Sequence, residues 1–196
     1  YTGRTLVSGG QLFLANAATL AGGSSLEISG GTVDLLGNSQ TGANALGAVT
    51  VAGGSLLASG RTLANAGTLA ATSFSFGYDN GAVADSVVTA KLSGTNLTKV
   101  SPTRTLTLWN ANTFTGTTTL TAGTLVVGDN AAFSTGNIYL QGATLDLNGK
   151  TIANTVYFTG GSLIGGTLLA SQLVVESGTI SAILSGPGTF HKTGTG

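Results

Sequence analysis

The sequence predicts an all-β solenoid. Three observations support this prediction: residues that favour helices are scarce, short β segments follow one another, and the chain resembles itself. Charged residues make up only 7 % of the 196 residues and methionine is absent, so most strong helix formers are nearly missing. The 32 glycines interrupt each stretch before a helical face could repeat. We therefore expect strands and turns throughout.

Short segments along the whole chain alternate polar and apolar side chains and end at Gly or Asn, which is typical of half-buried strands. Each such strand buries one face and leaves Thr, Ser or Asp on the other. The predicted strands are residues 5–7, 11–14, 25–28, 32–35, 49–51, 105–108, 124–127, 137–140, 144–147 and 173–175.

Self-similarity favours a solenoid over a β-sandwich. Residues 1–14 align with residues 114–127, which defines a long repeat of residues 1–113 followed by an incomplete second copy, residues 114–196. Within it, Gly-Gly or Ala-Gly precedes an apolar strand at the spacing of three strands per coil. A sandwich would show many hairpin dipeptides of the Asn-Gly type, and few occur here. At about 21 residues per coil we expect roughly nine coils in one domain.

The composition excludes several classes of function. Seven basic and seven acidic residues give a formal net charge of zero, which argues against nucleic acid because phosphate binding needs clustered cations. No cysteine is present, so disulfides and thiolate metal sites are excluded. No apolar run reaches about 18 residues, so we expect no membrane insertion by this segment. We expect no cofactor.

One segment has a more specific pattern. Residues 106–128, LTLWNANTFTGTTTLTAGTLVVG, closely resemble the autotransporter-associated β-strand repeat, whose pattern is roughly LTLSGANTYTGGTTVNAGTLVVG. Residues 1–14 resemble the second half of that repeat, and residues 186–196 resemble its lead-in, GSGTLTKTGTG. Trp109 and Thr117 depart from the pattern, where the family has Ser and Gly.

The resemblance implies a right-handed, single-stranded parallel β-helix in the passenger of an adhesin that leaves a Gram-negative cell by type V secretion. It implies that residues 1–196 form one structural stalk segment of a longer chain, whose partners are the neighbouring coils. The location implied is the extracellular space or the outer-membrane surface. The host or bacterial surface ligand stays unidentified.

The least repetitive segment, residues 74–85, offers a candidate for a ligand loop, with Tyr78, Asp79, Asn80 and Asp85 as its polar and aromatic members. An ordinary turn explains the same residues. Two carboxylates fall short of the six to eight oxygen ligands that Ca²⁺ prefers, so we expect no metal site.

Two other functions stay open at this point. A carbohydrate-binding or polysaccharide-degrading β-helix would need carboxylates within about 5 to 10 Å, and Asp129 and Asp146 come nearest to the coil spacing. We expect the carboxylates to be solvated on outer strand faces, His191 to point outward and Trp109 to pack at a coil corner, which leaves no catalytic residue. A self-assembling fibre unit is the other alternative, because open coil ends expose strand edges.

Overall fold

The computed structural model describes residues 3–14, 20–29, 31–35, 44–51, 54–57, 68–76, 85–100, 102–103 and 105–195. Within these residues the secondary structure consists of strands, with no α-helix. The strands are β1 (Arg4–Val7), β2 (Gln11–Phe13), β3 (Ser25–Ile28), β4 (Thr32–Asp34), β5 (Leu46–Val51), β6 (Gly54–Leu57), β7 (Thr68–Phe76), β8 (Ser86–Val88), β9 (Lys91–Lys99), β10 (Thr105–Leu108), β11 (Thr118–Leu120), β12 (Thr124–Val127), β13 (Ile138–Asp146), β14 (Thr151–Ile152), β15 (Val156–Ile164), β16 (Thr167–Leu169), β17 (Gln172–Val175), β18 (Thr179–Ile180), β19 (Ile183–Ser185) and β20 (Thr189–Lys192).

The described strands pair in parallel with strands of the preceding and following coils, which makes the chain a parallel β-solenoid. Face 1 contains β1, β3, β5, β11, β17, β20, the second halves of β7 and β9, and the first halves of β13 and β15. Face 2 contains β2, β4, β6, β8, β10, β12, β18 and the second halves of β13 and β15. Face 3 contains β14, β16, β19 and the first halves of β7 and β9. The predicted fold class is confirmed.

Coil length changes along the solenoid. The step along the chain from Ala48 to its register partner Ser73 is much longer than the step from Val156 to Leu173 near the end of the solenoid. Successive pairings on face 1 lead from Thr5 to Phe190, and their number is close to the roughly nine coils predicted. The coils are not uniform in length, however, and the number of residues per coil decreases toward β20.

The interior is built by alternation within each strand. On face 1, Leu97, Ile138 and Val156 point inward and are fully buried, while the residue that follows each of them in its strand points outward. Equivalent positions on consecutive coils lie about 4.8 Å apart, so the apolar side chains stack in columns along the rod. One continuous apolar core results, and Thr, Ser, Asn and Gln are common on the outer faces.

Some corners need glycine because adjacent coils come very close. A Cβ at Gly136 would lie within 1.9 Å of the Gly116 carbonyl oxygen of the coil before it. At other corners the chain does not break at all: β13 runs from Ile138 to Asp146 through a register shift at Gln141, where the sequence predicts two separate strands. The corner is shallow enough there for pairing to continue across it.

Candidate functional site

Most of the predicted ligand loop lies outside the described residues, namely Tyr78, Asp79 and Asn80. Asp85 is described and exposed, immediately before β8. Its Oδ1 accepts a hydrogen bond of 2.8 Å from the Thr105 backbone N–H, which starts β10 on the next coil. The carboxylate thus supplies an acceptor that the strand ladder lacks at this corner. A ligand-binding role for the loop stays a prediction.

The two carboxylates considered for sugar chemistry both act in local turns. Asp129 Oδ1 accepts a 2.8 Å hydrogen bond from the Ala131 N–H, and Asp146 Oδ1 accepts one of the same length from the Asn148 N–H. This two-residue spacing is the Asx-turn arrangement, which stabilises a turn after a strand. Among the described residues, no group of three or more His, Cys, Asp or Glu side chains could hold a metal ion.

The expectation that carboxylates lie solvated on the outer faces holds for Asp85 but is wrong for Asp34. Asp34 is 3 % exposed, on a strand paired on both sides, with Phe13 and Leu57 as its register partners. Glu27 instead pairs with Arg4 across one coil step, with an N–O distance of 2.8 Å. The arginine side chain is 58 % exposed, so this ion pair contributes little stability.

Trp109 follows β10 at a corner of the coil. Its backbone N–H donates a 2.9 Å hydrogen bond to the Val88 carbonyl, and Gly128 of the next coil lies against it. A Cβ at Gly128 would come within 2.6 Å of the Trp109 Cα and 2.8 Å of Cε3 of the indole. Trp109 as a whole is still 39 % exposed. This geometry supports the expectation that Trp109 packs at a corner.

Sequence reasoning missed a set of buried asparagines that hold neighbouring coils together. Asn112 accepts a 2.8 Å hydrogen bond from the Leu92 N–H and donates one of 2.8 Å to the Ala132 carbonyl, so one side chain joins three coils. Asn154 donates to the Gly136 carbonyl at 2.8 Å. A usable signal exists in the spacing, because both partners of Asn112 lie 20 residues away, the length of one coil.

Lys99 was also missed. It occupies an inward position on β9, in register with Phe76 and Leu120, and is 1 % exposed. Its Nζ lies 3.4 Å from the Ala122 carbonyl oxygen. The alternation Leu97-Thr98-Lys99 indicates the inward position, but a lysine is ordinarily assigned to the surface.

The outer side of face 1 carries a tyrosine pair. Tyr139 and Tyr157 stand on consecutive coils and are in register, with ring centroids 4.9 Å apart and ring planes 11° apart. Val174 and His191 follow in the same outward column on the next two coils. His191 is exposed, as expected, and lies within β20.

These features define the class of protein: a parallel β-solenoid with an apolar interior, asparagine-linked coils and largely uncharged outer faces. The chain is related in sequence to a segment of the adhesin BmaC autotransporter of Brucella suis biovar 1 (strain 1330), with 32 % identity over 182 aligned residues. The alignment covers 84 % of this chain and 5 % of that protein. The solenoid fold agrees with the autotransporter passenger repeat that residues 106–128 resemble.

The remaining comparisons found no match: no family model matches the chain, and no solved structure does. In the part of the chain that the structure describes, no helix is long and apolar enough to cross a membrane.

Proposed function

We propose that the chain is a structural stalk segment of an autotransporter passenger, displayed outside a Gram-negative cell. The observation that carries the proposal is the relationship to an autotransporter adhesin over 84 % of the chain, in a chain that folds as one continuous parallel stack. The chain spans only 5 % of that adhesin, and in a parent protein of that kind the main recognition regions would lie outside this segment. The stalk would hold them away from the membrane and take no part in catalysis.

The stack is suited to this role because each coil is held by its neighbours. Backbone hydrogen bonds join a coil to the coils before and after it, and the stability of such repeats is approximately a sum of nearest-neighbour terms. A stalk of this kind can be lengthened by adding coils, with no change in the local packing. Its surface strands are engaged in pairing, which protects the backbone from proteases.

The same arrangement supports secretion of an unfolded chain. A coil that emerges from the cell finds the edge of the previous coil already in place as a template, so folding can proceed coil by coil. The absence of cysteine removes the risk of disulfides that would form in the periplasm and block passage. Folding outside the cell would then favour movement in one direction.

The last coil supports the view that further coils complete the stack. Leu184 on β19 is 46 % exposed and Phe190 on β20 is 57 % exposed, although both occupy inward positions. Exposed apolar residues at inward positions would be covered by one more coil. The alternative occupant is a second copy of the chain, as in a self-assembling fibre unit.

Surface display tests the proposal directly. In the full-length parent protein, an epitope inserted after Glu176, in the exposed turn that follows β17, should be accessible to antibody on intact cells. We expect Leu125→Asp, which places a charge in the core, to abolish this labelling, and Thr119→Asp on the outer side of face 1 to leave it intact. Labelling that requires permeabilised cells would overturn the proposal.

Sedimentation of the purified chain separates the stalk from the fibre unit. A stalk segment should sediment as a species of limited size at all concentrations. Growth into open-ended polymers as the concentration rises, reversed by Phe190→Asp, would show instead that copies of the chain stack end to end.

A further inference from the structure

The tyrosine pair on face 1 has a defined orientation. The 4.9 Å between the ring centroids of Tyr139 and Tyr157 nearly equals the spacing of about 4.8 Å between paired strands. The rings are therefore stacked along the rod, and their faces point along it. Tyr139 covers one face of Tyr157, and the other face of Tyr157 points toward the next coil.

A slot follows on that side. Val174 is the register partner of Tyr157 on the next coil, and His191 is the partner of Val174 on the coil after it. Valine is much shorter than tyrosine, so the side chain of Val174 forms a floor between two taller walls. The walls are two strand spacings apart, about 9.6 Å. We call the space bounded by Tyr157, Val174 and His191 the tyrosine–histidine slot.

The width of the slot selects the shape of its occupant. A ring held between two walls contacts each at a carbon–carbon distance of about 3.5–4.0 Å, so the two contacts take up about 7–8 Å of the width. About 2 Å remain for the thickness of the ring itself. The axial C–H groups of a puckered, saturated ring project into that space on both sides, whereas a flat aromatic ring projects no atoms toward the walls and can contact only one of them. The C–H groups on the faces of a saturated ring also match the negative faces of aromatic walls.

The two ends of the slot are polar. Gln172 lies two residues before Val174 on the outer side of face 1, Glu176 lies in the turn that follows β17, and both are exposed. Gln172 stands about 7 Å from Val174 along the chain direction, in the plane that a ring stacked on Tyr157 would occupy, and Glu176 follows at the other end of the strand. An amide and a carboxylate at these places can donate to and accept from hydroxyl groups that radiate from the edge of such a ring.

We propose that the tyrosine–histidine slot binds a pyranose ring of a glycan. The two C–H faces of the sugar would lie against Tyr157 and His191, and its equatorial hydroxyls would bond to Gln172 and Glu176. The flat outer side of face 1 on either side of the slot gives room for the rest of a linear or branched glycan. This binding activity is separate from the stalk role and does not depend on it.

Nuclear magnetic resonance of the chain tests the proposal with defined probes. The methyl glycosides of glucose, galactose, mannose and N-acetylglucosamine are titrated singly, at millimolar concentration, into the ¹⁵N-labelled chain. We expect at least one glycoside to shift the amide signals of β17 and β20 while those of β10 and β12 stay in place. p-Cresol, a flat ring of similar size, should bind at least about tenfold more weakly, since it loses one stacking contact.

A matched pair of variants places the binding in the slot. Val174→Tyr fills the slot by continuing the tyrosine stack, and we expect it to abolish the shifts. Thr119→Tyr adds the same side chain in the same outward column on the other side of Tyr139, outside the slot, and should leave binding unchanged. The proposal is overturned if no glycoside shifts β17 and β20, if p-cresol binds as well as the sugars, or if Val174→Tyr still binds with its remaining spectrum unchanged.

Discussion

Residues 105–127 in the middle of the solenoid and residues 179–192 at its end follow the same pairing scheme but bury their apolar residues very differently. Leu106 and Leu125 in the middle are fully buried, whereas Leu184 and Phe190, at inward positions near the end, are 46 % and 57 % exposed. Phe190 is in register with the buried Leu173, so its position in the strand is that of a core residue. The difference teaches that burial in this fold comes from having a coil on both sides.

The largest expected effect comes from truncating a core residue in the middle coils. Leu125→Ala should lower the free energy of unfolding by about 2–5 kcal/mol, because it leaves a cavity between two coils that cannot collapse onto it. Leu184→Ala, at the inward position of the last coil where the residue is 46 % exposed, should cost only about 1 kcal/mol. Urea unfolding of both variants checks the comparison, which fails if the two losses are equal.

Removing the amide that joins three middle coils should have the next largest effect. Asn112→Ala leaves the Leu92 N–H and the Ala132 C=O without partners in the interior, and we expect a loss of about 2–3 kcal/mol. Asn137→Ala, on the outer side of face 1, serves as the control and should change stability by less than about 0.5 kcal/mol. Hydrogen exchange of the Leu92 amide should accelerate only in the first variant.

A glycine substitution sharpens the same comparison between a middle coil and the first one. Gly136→Ala brings a Cβ against the Gly116 carbonyl, so adjacent coils must separate, at a cost of about 1–3 kcal/mol. A Cβ at Gly9 meets no atom within 4 Å, and Gly9→Ala should be nearly neutral. Thermal unfolding of the two variants gives the result, and a larger loss for Gly9→Ala would contradict the close approach of the middle coils.

The smallest predicted change is a gain. The Thr118 hydroxyl is buried on β11 and has no hydrogen-bond partner in the described structure. Thr118→Val replaces it with a methyl group of similar size and should raise the free energy of unfolding by about 1 kcal/mol. Thr119→Val on the outward side of the same strand should give no gain. A loss of stability in Thr118→Val would mean that the hydroxyl does have a partner in solution.

Most of the strand pattern was predictable because the polar–apolar alternation that indicates a strand is visible within a few consecutive residues. Residues 25–28, 105–108 and 124–127 were predicted with the bounds that β3, β10 and β12 have. Variation in coil length was not predictable in the same way. At a corner such as that at Gln141, the backbone geometry decides how many residues the coil contains. The polar–apolar alternation continues on either side of the corner and does not reveal that number.

The residues of the candidate sites were harder to predict because their contacts depend on the register between coils. Tyr139 and Tyr157 are closer together in the chain than an average coil would place them, and their contact follows only once that local coil length is known. Lys99 shows the converse, since alternation with Leu97 assigns it to the interior while its charge suggests the surface. The long repeat of residues 1–113 and 114–196 stays a prediction.

The narrowing of the coils between β5 and β17 has a mechanical consequence. Under tension along the rod, a narrow coil resists with fewer hydrogen bonds and fewer apolar contacts than a wide one. Extension should therefore begin among the coils near β20 and release about 60 Å of contour length for each short coil that opens. A stalk graded in this way would yield in small steps, beginning with its short coils, and absorb sudden pulls before the wider coils open.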